Sequence, residues 1–135
     1  MKKQVFVGLM MAALLLVPSF LFAQSTEGTD FWVTLMRGDE RKYDELSLTF
    51  SAKAATKVYV ENIYTGYFDT VSVGDNEIQR LLLNSHESSC YVHDADEERV
   101  SNHALHVTSD KPISLIAANY KDKSFDVAAI LPTPA

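Results

Sequence analysis

Beyond residue 23 the chain alternates apolar and polar side chains with a period of two, and this pattern constrains the fold more than any other feature. The clearest case is residues 46–52, where every second residue is apolar: Leu46, Leu48, Phe50 and Ala52. Successive side chains of a β-strand point to opposite faces of the sheet, so the alternation predicts a strand with one buried face. Convincing helical periodicity is absent, and the sequence therefore predicts an all-β protein.

Residues 30–36 carry apolar side chains on both faces of the predicted strand. One face has Phe31, Val33 and Leu35, and the other has Trp32 and Met36. Strands that are buried on both faces read as nearly continuous apolar runs. We therefore expect a central strand that is covered on both sides.

Further strands are predicted over residues 57–61, 67–73, 103–109, 113–120 and 125–131. Thr65-Gly66 and Asp110-Lys111 supply turns, and Pro112 opens the strand after the second turn, where its missing N–H does least damage. Residues 77–83 fit a short helix or a strand, and we favour a strand because their surroundings are β. Residues 84–102 are polar and predict a loop. Six to eight strands at this spacing predict a sandwich or a barrel, and we favour an antiparallel β-sandwich, jelly-roll or Ig-like.

Residues 1–23 have the layout of a cleavable export signal. Lys2 and Lys3 give a positive start, residues 5–17 are almost wholly apolar, and Ala23 places a small residue before the predicted cleavage site. The alternative is an uncleaved membrane anchor, for which the apolar stretch is near the lower limit of length. We predict an exported protein, extracellular or on the cell surface with the periplasm as an alternative, whose residues 24–135 form a single β-sandwich domain.

The chain beyond residue 23 is acidic, with ten Lys and Arg against eighteen Asp and Glu, a formal charge of −8. Such a surface repels phosphate groups, so it argues against a nucleic-acid partner and against electrostatic binding to anionic lipid. No later stretch is apolar and long enough to cross a membrane. Cys90 is the only cysteine, which excludes an intrachain disulfide, and we expect its thiol to be buried.

The four histidines do not predict a metal site. His103 and His106 are three residues apart on a predicted strand, so their side chains point to opposite faces and cannot share an ion. His86 and His93 flank Cys90 at a spacing that matches no usual zinc pattern. The sequence also lacks a serine-nucleophile elbow and a glycine-rich phosphate loop. We therefore predict a protein that is not an enzyme and has no cofactor.

The acidic stretch around residue 96 suggests calcium as an alternative. Asp94, Asp96 and Glu98 begin like the ligand run of a helix-loop-helix calcium site. That motif next requires a glycine and a bidentate glutamate, whereas this chain has Arg99 and Leu105 at those positions. An irregular calcium site on the three acidic residues remains as the alternative to a solvated loop.

Aromatic side chains are the remaining candidates for binding. Tyrosine and tryptophan combine a large apolar surface with one polar group, so exposed examples are common where proteins bind sugars or other proteins. Most aromatic residues on strands belong to the core. Tyr59 and Tyr67 occupy outward or turn-adjacent positions in the predicted strands, and we predict them as binding residues.

Three sequence blocks together resemble a known family. They are S-T-E-G-T-D-F-W-V-T at residues 25–34, H-V-T-S-D-K-P-I-S at residues 106–114, and N-Y-K-D-K-S-F-D at residues 119–126 followed by L-P-T-P-A at residues 131–135. The chain is similar to the N-terminal domain of the IgGFc-binding protein family, in its bacterial branch of exported surface and gliding-associated proteins. The resemblance implies an all-β extracellular module with an adhesive or binding role. Family members continue beyond the last block, so it also implies a truncated domain whose last strand lies at an open sheet edge, where another copy could pair.

Three functions follow from these observations. The first is a non-catalytic binding or adhesion module of the cell surface or extracellular space, which recognises a protein or glycan partner. The second is a structural or assembly subunit of a larger surface machine, which associates with itself or with another subunit. The third, and least favoured, is a secreted metal-dependent hydrolase that uses the loop from His93 to Glu98 and a bound metal.

Overall fold

A computed structural model describes residues 25–36, 45–92, 99–121 and 124–133. The predicted export signal and the acidic stretch with Asp94, Asp96 and Glu98 lie outside these residues. The strands are β1 (Glu27–Val33), β2 (Leu35–Met36), β3 (Glu45–Ala52), β4 (Thr56–Asn62), β5 (Tyr67–Val73), β6 (Glu77–Leu82), β7 (Tyr91–Val92), β8 (Leu105–Lys121) and β9 (Ser124–Ile130). A 3-10 turn at Asn84–His86 leads into a one-turn helix, α1 (Glu87–Cys90). Within the described ranges, no helix has the length and apolarity needed to span a membrane.

Seven strands form one antiparallel sheet in the order β5-β4-β8-β3-β6, with β1 and β9 also paired to β8. β2 and β7 form a separate parallel pair. The main sheet curls until it is nearly closed into a barrel-like shape. The predicted all-β antiparallel class is therefore confirmed, and so is the strand preferred for residues 77–83. Two separate facing sheets, as in a typical sandwich, are not clearly present.

The longest strand, β8, is continuous where the sequence predicted two strands and a turn. Asp110, Lys111 and Pro112 lie inside β8, so the predicted hairpin turn is wrong. The first part of β8 lies between β1 and β4, and its second part lies between β9 and β3. Pro112 falls after Ser109, the last residue paired with β4, and before Ile113, the first paired with β3. Its missing N–H is therefore tolerated, because neither strand pairs with β8 at that point.

The main sheet bends along one line that crosses its strands. β3 and β4 are separated by a bend at residues 53–55, which lies beside residues 110–112 of β8. β5 and β6 are separated by a turn at residues 74–76, which lies beside the same bend. The register of β1 against β8 also shifts here, between Gly28 and Asp30. The bend divides the sheet into a first half-sheet (β1, the start of β8, β4 and β5) and a second half-sheet (β9, the end of β8, β3 and β6).

Polar side chains join neighbouring segments at the bend. The Asp75 carboxylate accepts a hydrogen bond from the Ala55 backbone N–H at 2.5 Å. The Thr56 hydroxyl accepts one from the Lys111 backbone N–H at 3.0 Å. Because ladder pairing is interrupted at a bend, these side chains satisfy backbone donors that the neighbouring strand does not reach.

The inner faces of the two half-sheets share one hydrophobic core. The alternation of the sequence selects these side chains correctly, since Leu46, Leu48, Phe50, Val58 and Val60 are all fully buried. The full cluster also includes Phe31, Val33, Leu35, Ala52, Val73, Leu83, Cys90, Tyr91, Leu105, Val107, Ile113, Leu115 and Ala117. Removal of each large apolar side chain from water contributes about 2 kcal/mol, so this shared core is the main source of stability.

Two other predictions are corrected by the structure. The segment predicted as one central strand, residues 30–36, is not covered on both sides, because Trp32 on β1 is 53% exposed and Met36 on β2 is 68% exposed. Among the described strands, β1 pairs with β8 alone. Residues 84–92, predicted as part of a loop, contain the 3-10 turn, α1 and β7, and the tertiary contacts of Leu83, Cys90 and Tyr91 with the core hold them in place.

The segment after β9 returns to β1. The Thr133 N–H donates to the Asp30 carbonyl at 2.9 Å, and the Thr133 hydroxyl bonds the Asp30 carboxylate at 2.8 Å. Pro132 lies so close to Gly28 that a Cβ added to this glycine would be 2.3 Å from the Pro132 Cβ. Gly28 is therefore needed for the close approach of two chain segments.

Candidate functional site

One row of side chains crosses the outer face of the first half-sheet. The registers place Trp32 of β1 opposite His106 of β8, His106 opposite Glu61 of β4, and Glu61 opposite Phe68 of β5. We call these four residues the outer row. Directly opposed side chains on one face of a sheet are near neighbours, so aromatic and charged groups from four strands meet on one surface.

His106 lies in the middle of the outer row and is held there by two hydrogen bonds. Its Nε2 is 3.0 Å from Oδ2 of Asp30, and its Nδ1 is 3.3 Å from Oε1 of Glu61. An imidazole can donate from both nitrogens only when it is protonated. The arrangement therefore favours an imidazolium ion between two carboxylates, which links β1, β8 and β4 through their side chains.

The pKa values of this cluster follow from its geometry. Partial burial alone would lower the pKa of His106, but its hydrogen bonds to Asp30 and Glu61 and their negative charges outweigh burial, so its pKa is raised. The pKa of Asp30 is lowered, first by its hydrogen bond to His106 and then by its hydrogen bond to Thr133. Both shifts favour the charged forms of the pair.

Trp32 stacks on the His106 ring, with ring centroids 4.5 Å apart and an angle of 13° between the planes. A cation above an indole face is attracted by the ring's electron density. The contact therefore adds to the forces that favour the protonated imidazole. It also fixes the orientation of Trp32 without burying it, and Phe68 at the other end of the outer row is 62% exposed.

A small cavity of about 60 Å³ lies beside Trp32 and His106. Its other lining residues are Glu61, Ile63, Tyr64, Ser101, Asn102 and Ala104. Ile63 and Tyr64 belong to the turn between β4 and β5, and both side chains are about 70% exposed. That turn is held by Asn62, whose carboxamide oxygen accepts from the Tyr64 and Thr65 N–H groups and whose amide nitrogen donates to Ser89 and Asn102 carbonyls.

Of the two predicted binding residues, Tyr59 lies on the same outer face. Its register pairs it with Thr108 of β8 and Thr70 of β5, one row along from His106. The pKa of Tyr59 is raised by partial desolvation and by the nearby carboxylate of Asp110. Tyr59 therefore extends the outer row towards the bend of the sheet.

Tyr67 lies in a different environment. Its side chain packs against the hydrophobic core and lies next to the His86 ring, with centroids 4.4 Å apart. Desolvation, followed by the charges of Asp69 and Cys90, raises the pKa of Tyr67 to about 12. Its hydroxyl is buried and has no hydrogen-bond partner among the described residues. Both side chains are half-buried, and the burial of the Tyr67 hydroxyl makes Tyr59 the better placed of the two for binding.

Among the described residues, the histidines and the cysteine do not converge on a metal, and His93 lies outside these residues. His103 precedes β8 instead of lying on a strand, and its Nδ1 is 3.1 Å from the Ser88 carbonyl oxygen. His106 contacts Asp30 through one ring nitrogen and Glu61 through the other, so a single metal ion could not bind all three residues. In the part of the chain that the structure describes, no group of three or more His, Cys, Asp or Glu residues could hold a metal ion.

Cys90 is fully buried, as the sequence predicted. Its thiol donates a hydrogen bond to the His86 backbone carbonyl at 3.4 Å. Burial, with a smaller contribution from the charge of Glu87, raises the pKa of Cys90 to about 12. A thiol with this pKa is an unreactive core residue.

Comparison with known proteins gives no family model, no curated protein and no solved structure that matches the chain. The outer row itself was not predicted from the sequence, although Trp32 and His106 were each considered. The useful signal is the two-residue alternation: Trp32, His106 and Glu61 all alternate with the buried residues of their strands, so all three point to the outer face. Their meeting depends on a register between strands that are far apart in the sequence, which the alternation does not fix.

Proposed function

We propose that the protein is an exported, non-catalytic binding or adhesion module of the cell surface or extracellular space. In this proposal the outer row recognises a protein or glycan partner, with Tyr59 and Tyr64 at its margins. The observation that carries the proposal is the exposure of Trp32 and Phe68 on both sides of the charged pair Glu61 and His106.

Physical chemistry supports a binding role for this surface. Exposed Trp, Tyr and Phe side chains that are already held in one conformation bind with a small loss of side-chain entropy. Trp32 is held by its stack on His106, and the carboxylates that orient His106 add polar groups of fixed direction. A ligand would therefore meet flat apolar surface and directional hydrogen-bonding groups together.

The sequence resemblance supports the same proposal from another direction. Residues 25–34 and 106–114, which resemble the bacterial branch of the IgGFc-binding family, supply Trp32, Asp30 and His106. We also propose a more specific fold than the all-β antiparallel class: a β-sandwich whose two layers are the first and second half-sheets, joined through β8. Export rests on the composition of residues 1–23.

Binding arrays test this function directly. The purified protein would be applied to glycan and extracellular-protein arrays beside three variants, Trp32→Ala, Phe68→Ala and Phe125→Ala. Phe125 is 64% exposed on β9, in the second half-sheet, and serves as the matched control. We expect Trp32→Ala and Phe68→Ala to lose array binding that Phe125→Ala retains. Binding that survives both outer-row substitutions would refute the role of this surface.

One observation favours assembly as a second candidate function. β9 pairs with β8 on one side, and no other described strand pairs with it. Both of its faces are accessible: Phe125 and Val127 on one face are at least half exposed, and Asp126 and Ala128 on the other face are exposed as well. An unpaired apolar strand edge is a template for another strand. Two results together would favour assembly over recognition. The protein would bind nothing on the arrays, and it would self-associate in a concentration-dependent way that Val127→Lys abolishes.

A further inference from the structure

We propose that the outer row and its adjoining cavity bind the guanidinium group of an arginine side chain on a protein partner. This inference rests on the proposed binding function and names the ligand class for the same surface. The juxtaposition that points to it is an exposed indole, an exposed phenol and a carboxylate around one small cavity.

Charge is the first argument. The carboxylates of Asp30 and Glu61 carry two negative charges and His106 carries at most one positive charge, so the cluster keeps at least one net negative charge. No Lys or Arg belongs to the outer row or lines the cavity, within the described part of the chain. The full chain is also acidic, with a formal charge of −6. Complementarity therefore favours a cationic ligand over a neutral or acidic one.

The second argument is the shape of the groups. Trp32 uses one ring face on His106, and its side chain is still 53% exposed. Tyr64 lines the same cavity from the turn between β4 and β5. Arginine is planar, stacks on aromatic rings and donates hydrogen bonds in the plane of the guanidinium. Lysine has a compact, strongly hydrated charge and cannot stack in this way.

The third argument is the availability of an acceptor. Glu61 bonds His106 through Oε1 alone in the described contacts, and a carboxylate has two oxygens that each accept hydrogen bonds. Glu61 is 40% exposed at its side chain and lines the cavity beside Trp32. A guanidinium stacked on Trp32 would therefore have a charged acceptor at hand.

Tryptophan fluorescence gives a site-specific test, because Trp32 is the only tryptophan in the chain. The protein would be titrated with Nα-acetyl-arginine amide, with the lysine analogue, with the neutral isostere Nα-acetyl-citrulline amide, and with chitotriose. We expect a saturable change with arginine, weaker binding of lysine, and citrulline binding about ten-fold weaker than arginine because the ion pair is lost. Added salt should weaken the arginine response.

Two charge-removing variants sharpen the test. Glu61→Gln should weaken arginine binding several-fold, whereas Asp126→Asn, which removes an exposed carboxylate on β9, should leave it unchanged. Equal responses to arginine and citrulline would overturn the proposal, as would the absence of any arginine response. A saturable response to chitotriose alone would overturn the arginine assignment while leaving the outer row as the binding surface. The array result with Trp32→Ala decides the proposed function separately.

Discussion

Gly28→Ala offers the most quantitative test of the structure. The added methyl would lie 2.3 Å from the Pro132 Cβ and 2.9 Å from its Cγ, whereas carbon atoms in contact are about 3.5–4.0 Å apart. Pro132 must therefore move by about 1 Å or more. That movement pulls on Thr133, whose backbone and side chain both bond Asp30.

The expected loss of stability follows from these contacts. Overpacking costs about 1–3 kcal/mol, and each of the two hydrogen bonds to Asp30 contributes about 0.5–1.5 kcal/mol. Alanine also restricts the unfolded chain, which offsets about 0.4–1 kcal/mol. We expect Gly28→Ala to lower the free energy of unfolding by about 3 kcal/mol if both hydrogen bonds are lost, which corresponds to roughly 12 °C in Tm for a domain of this size.

Gly74→Ala is the matched control, measured by the same thermal unfolding assay. A Cβ at Gly74 would meet the Glu77 carboxylate, the far end of a flexible side chain that can turn away. We expect its Tm to fall by less than half as much as that of Gly28→Ala. A Gly28→Ala protein as stable as the wild type would show that Pro132 does not pack on β1 as described. A Gly74→Ala protein that loses more would show that the contact with Pro132 is not the larger of the two costs.

Three further predictions concern buried groups and pH. Cys90 should resist a thiol reagent such as DTNB at pH 8 in native buffer and react fully in denaturant, because its thiol is buried and its pKa is about 12; rapid native labelling would contradict this. Tyr67→Phe should leave the free energy of unfolding unchanged or raise it, because the hydroxyl that it removes is buried without a described partner. A loss of more than about 1 kcal/mol would contradict this. The raised pKa of His106 stabilises the fold below about pH 6.5, and this contribution is lost as the pH rises through the folded-state pKa; the lowered pKa of Asp30 stabilises it above about pH 4. The difference in free energy of unfolding between wild type and His106→Gln should therefore be largest near pH 5.5, at about 0.5–1 kcal/mol for a partly exposed pair, and should shrink by pH 9; thermal unfolding at the two pH values measures it.

The sequence predicts the strands well because burial and the two-residue repeat act together in them. Leu46, Leu48 and Phe50 are correctly assigned to the core, and Thr65-Gly66 forms the predicted turn, with Gly66 at a φ of 72° that suits glycine. These are local signals. Each can be read from a few consecutive residues without knowing which strand lies next to which.

The errors occur where the answer depends on neighbouring strands. Pro112 marks a change of partner strands in β8, and a turn and such a change have the same local composition. Trp32 is apolar yet exposed, because β1 lies at the side of the sheet and none of the described strands or helices covers its second face. The outer row likewise requires the register of β1, β8, β4 and β5, which arises only when the sheet is assembled.

The binding proposal depends on the outer row being one preorganised unit, with a protonated His106 at its centre. NMR titration of the His106 imidazole tests this directly, with Trp32 resonances followed in the same spectra. We predict a His106 pKa above its ordinary value of 6.5, lowered in both Asp30→Asn and Glu61→Gln, with Trp32 shifts that follow the same midpoint. A midpoint at or below 6.5, or one that neither substitution moves, would contradict the account.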